Sequence, residues 1–253
     1  MDLQKTGERI GTLCFIIVIM VFLLKLTFVH GDPEGAQVQY ISNTTKNVTF
    51  PDNRTDDKGT ITTIVISTTQ QNNRWKAYVG NISGTLVLQD AQGYSIYQWA
   101  SLADPNGQIY ITRYDNITWG NIKCANVTDI QREENATNIT SANSDSINST
   151  FEIDDPKHDG FWVGSTSIGN STCPSLVTYV DSASQTLSED ALFQEVLLSD
   201  GNYLVYTALL EHDADTYKDD ADTTYDFQAL VTDGGIPTVG PLTYYFYVEL
   251  SAT

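Results

Sequence analysis

Leu242-Thr243-Tyr244-Tyr245-Phe246-Tyr247-Val248-Glu249-Leu250 alternates two kinds of side chain along its length. In an extended chain successive side chains point to opposite faces, so Leu242, Tyr244, Phe246, Val248 and Leu250 share one apolar face. Thr243, Tyr245, Tyr247 and Glu249 share the other, which is half polar. An antiparallel strand with one face on a core and the other towards water has this pattern. The expectation is a strand over Leu242–Leu250 with its even-numbered side chains buried.

Working outward, the same β-branched and aromatic enrichment recurs in short runs at Thr60–Thr68, Trp75–Val79, Gly84–Gln89, Ser95–Leu102 and Gln108–Tyr114. It recurs again at Phe161–Ile168, Leu176–Val180, Ala191–Leu198, Tyr203–Glu211 and Tyr225–Thr232. Turn residues separate them: Asn72-Asn73, Asp90-Ala91-Gln92-Gly93, Asp104-Pro105-Asn106-Gly107, and Asp200-Gly201, where glycine accepts the positive φ of a hairpin. Between Thr128 and Thr150 the pattern lapses into Gln, Glu, Asn and Ser around Ile130, Ile139 and Ile147, which reads as a short helix plus loop on the surface. The fold class expected is mainly β: an antiparallel, immunoglobulin-like β-sandwich with a short helical insertion, preceded by an N-terminal apolar helix. Residues 1–31 form the N-terminal segment and 32–253 the β-domain. Within the latter, Gln37 to Thr55 reads as an exposed arm or first strand.

Thirteen Lys and Arg stand against thirty-two Asp and Glu, a net charge of -19. With 41% hydrophobic residues and fourteen tyrosines the chain is folded and acidic, not disordered. The basic residues are scattered and form no stripe, which argues against nucleic acid as a partner.

The run from Ile10 to Val29 decides which side of a membrane the β-domain occupies. At about 1.5 Å per residue it spans roughly 30 Å, the thickness of the hydrocarbon layer of a bilayer. Lys5 and Arg9 precede it and keep the N-terminus cytoplasmic, so the remainder is exported to the cell surface or beyond. Two fates fit the residues alone. Val29-His30-Gly31 followed by Asp32-Pro33-Glu34-Gly35 suits signal cleavage, whereas Lys25 at the outer interface suits an uncleaved membrane anchor through residues 10–29.

A third fate comes from likeness. Glu8-Arg9-Ile10-Gly11-Thr12-Leu13, followed by Phe15-Ile16-Ile17-Val18-Ile19-Met20-Val21, resembles the start of mature archaellins and related archaeal type IV pilins. That resemblance implies a cut after Gly7, an apolar helix packed in a filament core, and self-association with a β-sandwich head facing solvent. Lys25 would then need a carboxylate or carbonyl from a neighbour. A second likeness lies further on, in Gly59-Thr60-Ile61-Thr62-Thr63, Gln70-Gln71-Asn72-Asn73-Arg74-Trp75-Lys76-Ala77-Tyr78-Val79-Gly80-Asn81, Asp145-Ser146-Ile147-Asn148, Phe193-Gln194-Glu195-Val196-Leu197-Leu198, Tyr225-Asp226-Phe227-Gln228 and Tyr244-Tyr245-Phe246-Tyr247-Val248. These segments resemble a group of uncharacterised exported archaeal proteins. The likeness implies an archaeal surface location and supplies no catalytic residue.

Export agrees with the chemistry of the side chains. Glycosylation sequons occur at Asn43, Asn47, Asn53, Asn81, Asn116, Asn126, Asn135, Asn138, Asn148 and Asn170. Ten of the sixteen asparagines are thus acceptors, where the Ser and Thr content alone gives roughly three by chance. Cys14 lies in the apolar run, which leaves Cys124 and Cys173 as the pair for a disulfide. Its loop of about 50 residues would contribute on the order of 4 kcal/mol in the chain-entropy model.

Other chemistry is thinner. Asp213, Asp215, Asp219, Asp220 and Asp222 offer oxygens to Ca²⁺, without the glycine and terminal glutamate of an EF-hand; the alternative is a solvated acidic turn. Apart from this calcium, no cofactor is expected. His30, His158 and His212 lack the partners of a zinc site or triad and read as surface residues. Trp75, Trp99, Trp119 and Trp162 fit either core packing or a carbohydrate platform. The expected protein is not an enzyme. It is a structural or adhesive surface glycoprotein, with a filament subunit and a secreted carbohydrate-binding protein or hydrolase as alternatives.

Overall fold

The alternating stretch at the C-terminal end forms the strand Tyr245–Ser251, which lies beside Asn106–Thr112 with Phe246 opposite Ile111 and Val248 opposite Ile109. The structure is a computed structural model, and it describes residues 32–43, 55, 58–59, 61–65, 74–84, 87–89, 95–98, 106–181, 183–211, 223–234 and 242–251. In chain order the first strands are β1 (Glu34–Gly35), β2 (Trp75–Gly80), β3 (Val87–Gln89), β4 (Ser95–Gln98), β5 (Asn106–Thr112) and β6 (Lys123–Cys124). Then come helices α1 (Val127–Ala136) and α2 (Ile147–Thr150). The remaining strands are β7 (Phe161–Val163), β8 (Thr166–Ile168), β9 (Ser175–Val177), β10 (Tyr179–Val180), β11 (Ala183–Ser184), β12 (Gln194–Ser199), β13 (Leu204–Leu209), β14 (Phe227–Thr232) and β15 (Tyr245–Ser251).

Among the described residues the molecule is mainly β, with every strand pair antiparallel, an arrangement consistent with a β-sandwich. The main sheet has the order β1, β15, β5, β13, β12, β6, and β9 also pairs with β12. Shorter pairs join β14 to β2 and β7 to β8. Register sorts the side chains of the main sheet into two sets. Ile109, Ile111, Leu197, Leu204, Tyr206 and Ala208 meet Phe227, Ala229 and Val231 of β14, with Ile130, Ile147 and Phe151 from the helical region. The opposite set, Tyr110, Val196, Leu198 and Val205, meets Phe161, Val163 and Ile168 of the β7–β8 hairpin. Each large apolar side chain so enclosed contributes roughly 1.5–3 kcal/mol of burial free energy.

The half-polar face of β15 is therefore covered towards one end: Tyr245 is exposed and Tyr247 half-buried, whereas Glu249 is enclosed. Glu249 is 5% exposed. Its carboxylate accepts the Tyr110 hydroxyl at 2.8 Å and the Gly164 N–H at 3.1 Å to each oxygen. Tyr247 meets the ring of Trp119 edge-on at 5.1 Å. Burial of the Glu249 carboxylate is tolerable because the Tyr110 hydroxyl and the Gly164 N–H satisfy it. Glu195 on β12 is fully buried against β14, where its carboxyl accepts the Leu230 N–H at 2.8 Å. Burial raises its pKa well above the ordinary carboxyl range, and the Leu230 N–H pulls the other way.

Two other expectations are corrected. Of the strand expected over Thr60–Thr68, residues 61–65 form no strand and are exposed apart from the half-buried Thr62, with Ile61 at 97%, and the others lie outside the described residues; β-branched propensity makes a strand only where a neighbouring strand accepts its ladder. The stretch 128–150 is not a surface appendage. Ile130, Glu133, Glu134 and Thr137 recur at helical spacing and are all buried, as are Ile139 and Ile147. Asn126 starts α1 with a capping box, its Oδ1 accepting the N–H groups of Thr128 and Asp129 while the Asp129 side chain accepts the Asn126 N–H.

Gly107 enters β5 at φ +144, and an added Cβ would collide with the Glu249 carbonyl. Gly107→Ala is expected to cost about 3 kcal/mol or more, read from urea denaturation.

Candidate functional site

Cys124 ends β6, on the edge of the main sheet, and Cys173 lies in the turn between β8 and β9. The two are joined in a disulfide with their Cα atoms 4.8 Å apart. The turn before Cys173 is tightly folded: Ser171 adopts the left-handed conformation at φ 55, its N–H donates to the His158 carbonyl at 2.9 Å, and the Thr172 hydroxyl donates to the Gly169 carbonyl at 2.7 Å.

His158 closes this turn. Its ring is fully buried, which corrects the expectation of a surface histidine. Nε2 accepts the N–H groups of Thr172 and Cys173, each at 3.0 Å, while Nδ1–H donates to the Asp159 carbonyl at 2.7 Å. An imidazole that accepts at one nitrogen and donates at the other is neutral. Burial lowers its pKa, against the opposing pull of the Asp159 carbonyl and of the Asp159 and Glu189 charges. The Ser171 hydroxyl donates to Glu189, and that bond holds the Glu189 carboxyl below its ordinary range. His158 thus ties segments 157–159 and 169–173 together beside the disulfide.

A lowered histidine pKa means that the unfolded chain takes up a proton more readily than the folded one. Its contribution to stability is complete above the ordinary value of about 6.5 and is lost as the pH falls below it. Urea denaturation between about pH 7 and about pH 5 is expected to show this loss in the wild type and a flatter profile in His158→Asn, with exchange of the Thr172 and Cys173 amides speeding up in the same window.

Sequons flank both cysteines. Asn126 and Asn170 are exposed, two and three residues from Cys124 and Cys173 respectively. At Asn126 the helix cap uses the amide oxygen, whereas N-glycosylation uses the nitrogen, so one side chain can serve both. All eight described sequon asparagines, Asn43, Asn81, Asn116, Asn126, Asn135, Asn138, Asn148 and Asn170, are exposed. Asn47 and Asn53 lie outside the described residues.

The three described tryptophans, Trp75, Trp119 and Trp162, are not gathered on one surface. Trp75 packs with the β14 side of the sheet, against Phe151 at 6.3 Å, and donates Nε1–H to the Asp145 carbonyl. Trp119 lies on the other side, 5.1 Å from each of the Tyr110 and Tyr247 rings. Trp162 on β7 is 47% exposed. Trp99, His30, His212 and the acidic set Asp213, Asp215, Asp219, Asp220 and Asp222 lie outside the described residues. Among the described residues no three His, Cys, Asp or Glu side chains converge on a metal position. No helix of the described residues is long and apolar enough to cross a membrane, and residues 10–29 lie outside them.

No family model matches the chain, no curated protein matches it, and no solved structure matches it.

Proposed function

We propose that this protein is an exported, N-glycosylated β-domain held at the cell surface through residues 10–29, with a structural or adhesive role and no catalytic one. The observation that carries the reading is the coincidence at one corner of the fold: a disulfide with an exposed sequon on either side of it. Disulfides persist in oxidising compartments, and sequons are used on the exported side of a membrane. Exposure of the other described sequon asparagines supports it further. The finer form of the domain in this reading is an immunoglobulin-like sandwich behind an apolar helix, with an archaeal surface as its setting. Calcium on Asp213, Asp215, Asp219, Asp220 and Asp222 belongs to the same proposal as an accessory ligand, and a melting curve unmoved by calcium or chelator would remove it.

N-terminal sequencing of the mature protein tests the reading and sorts its variants. An intact N-terminus supports the anchor, a start at Glu8 the filament subunit, and a start near Asp32 a secreted protein. Recovery from the cytosol alone, unglycosylated, would overturn all three.

A further inference from the structure

Resting on the reading of the chain as an N-glycoprotein, we infer that Asn135 is a glycan acceptor only before the domain folds, whereas its neighbour Asn138 remains an acceptor afterwards. A sequon is defined by two groups, the asparagine amide and the hydroxyl two residues on, so an enzyme that selects sequons must reach both. In the reaction the amide nitrogen attacks the anomeric carbon of a lipid-linked sugar phosphate. A C–N bond forms, the sugar C–O bond breaks, the phosphate leaves with the electron pair, and one amide proton passes to a base of the enzyme.

Asn135 and Asn138 stand three residues apart and each is exposed, so the asparagines alone do not separate them. The hydroxyls do. Thr137 is fully buried; its Oγ1–H donates to the Glu133 carbonyl at 2.9 Å, with the Glu134 carbonyl at 3.3 Å, and its N–H donates to the Glu133 carbonyl at 2.9 Å. Residues 135–137 are the last turn and cap of α1, the helix whose Glu133 is held by Arg113 and whose Glu134 accepts the Asn148 N–H at 3.0 Å. Presenting the Thr137 hydroxyl therefore requires the end of α1 to open, which breaks bonds inside the core. Asn138 has left the helix, at φ 55, and Thr140 is exposed beside it. Ile139 between them is buried and its N–H donates to the Glu134 carbonyl at 2.7 Å, but the two residues whose side chains define this sequon, Asn138 and Thr140, are both exposed as they stand. Glycan at Asn135 then records transfer to the chain before α1 docks.

The test compares the folded, disulfide-intact, unglycosylated protein with the same chain reduced and unfolded, each treated with an oligosaccharyltransferase and a lipid-linked oligosaccharide, with occupancy read site by site by mass spectrometry. Occupancy at Asn135 is expected to fall at least about tenfold below that at Asn138 in the folded protein and to match it within a few fold in the unfolded chain. Equal occupancy of the two in the folded protein would overturn the inference, as would an Asn135 that stays unmodified in the unfolded chain, since local sequence would then be the barrier. Failure at every sequon in both states would instead count against the glycoprotein reading itself.

Discussion

Replacing Cys124 and Cys173 together by alanine is expected to lower the stability of the domain by about 4 kcal/mol in urea denaturation. The bond joins residues separated by 49 positions, so its absence returns a long loop of conformational freedom to the unfolded chain. The folded state loses as well. Cys173 is fully buried in the cluster with Ile122, Phe161 and Leu198, and its N–H is one of the two that His158 holds. Domains of this size are stable by only about 5–15 kcal/mol, so the loss is a large share of the total. The denaturant slope is expected to rise as well, because the unfolded chain becomes more expanded. A loss below about 1 kcal/mol with an unchanged slope would mean that the bond does not constrain the fold.

Arg113→Met is expected to cost a further 3–5 kcal/mol, roughly the effect of leaving a buried charge uncompensated. Arg113 follows β5 and reaches Glu133 on α1 with two parallel bonds, Nε to Oε1 at 2.5 Å and Nη2 to Oε2 at 2.9 Å. Both side chains are largely enclosed. Burial works against the guanidinium charge, yet its pKa rises above the ordinary value because the Glu133 carboxylate more than offsets that. Removing the cation strands a carboxylate near the Tyr206 and Tyr244 rings. Double substitution of Arg113 and Glu133 by methionine is expected to recover most of the loss, since a well-packed apolar pair of similar volume is often as stable as the ion pair. If the double variant is no more stable than Arg113→Met, the cost lies in packing and not in the stranded charge.

These two contacts mark where sequence reading succeeds and where it stops. The alternation over Leu242–Leu250 was legible because one side of β15 is purely apolar, and Asp200-Gly201 was legible because a glycine at φ +97 does form the turn between β12 and β13. The pairing of Cys124 with Cys173 was reachable by elimination of Cys14. The inward face of α1 was not legible. Its buried members include Glu133, Glu134 and Thr137, so a search for apolar periodicity passes over a helix whose core-facing side is held by polar bonds. Nor does the sequon Asn126-Val127-Thr128 announce itself as a helix cap, although Asp129 three residues on from Asn126 was a usable signal for a capping box. His158 reads from the sequence as a surface residue because its partners are backbone N–H groups, which leave no residue pattern. The burial of Glu249 is not legible because the hairpin residue that meets it is 85 positions away, and the donor it offers is a glycine N–H.

The central claim is that an oxidised, glycosylated corner marks an exported surface domain. Mass mapping of non-reduced peptides from the protein isolated from its own cells tests it most directly. The expected result is one linked pair, a peptide containing Cys124 and Asn126 joined to a peptide containing Asn170 and Cys173, with sugar mass on the asparagines. Free thiols at both cysteines together with unmodified asparagine at all ten sequons would contradict it.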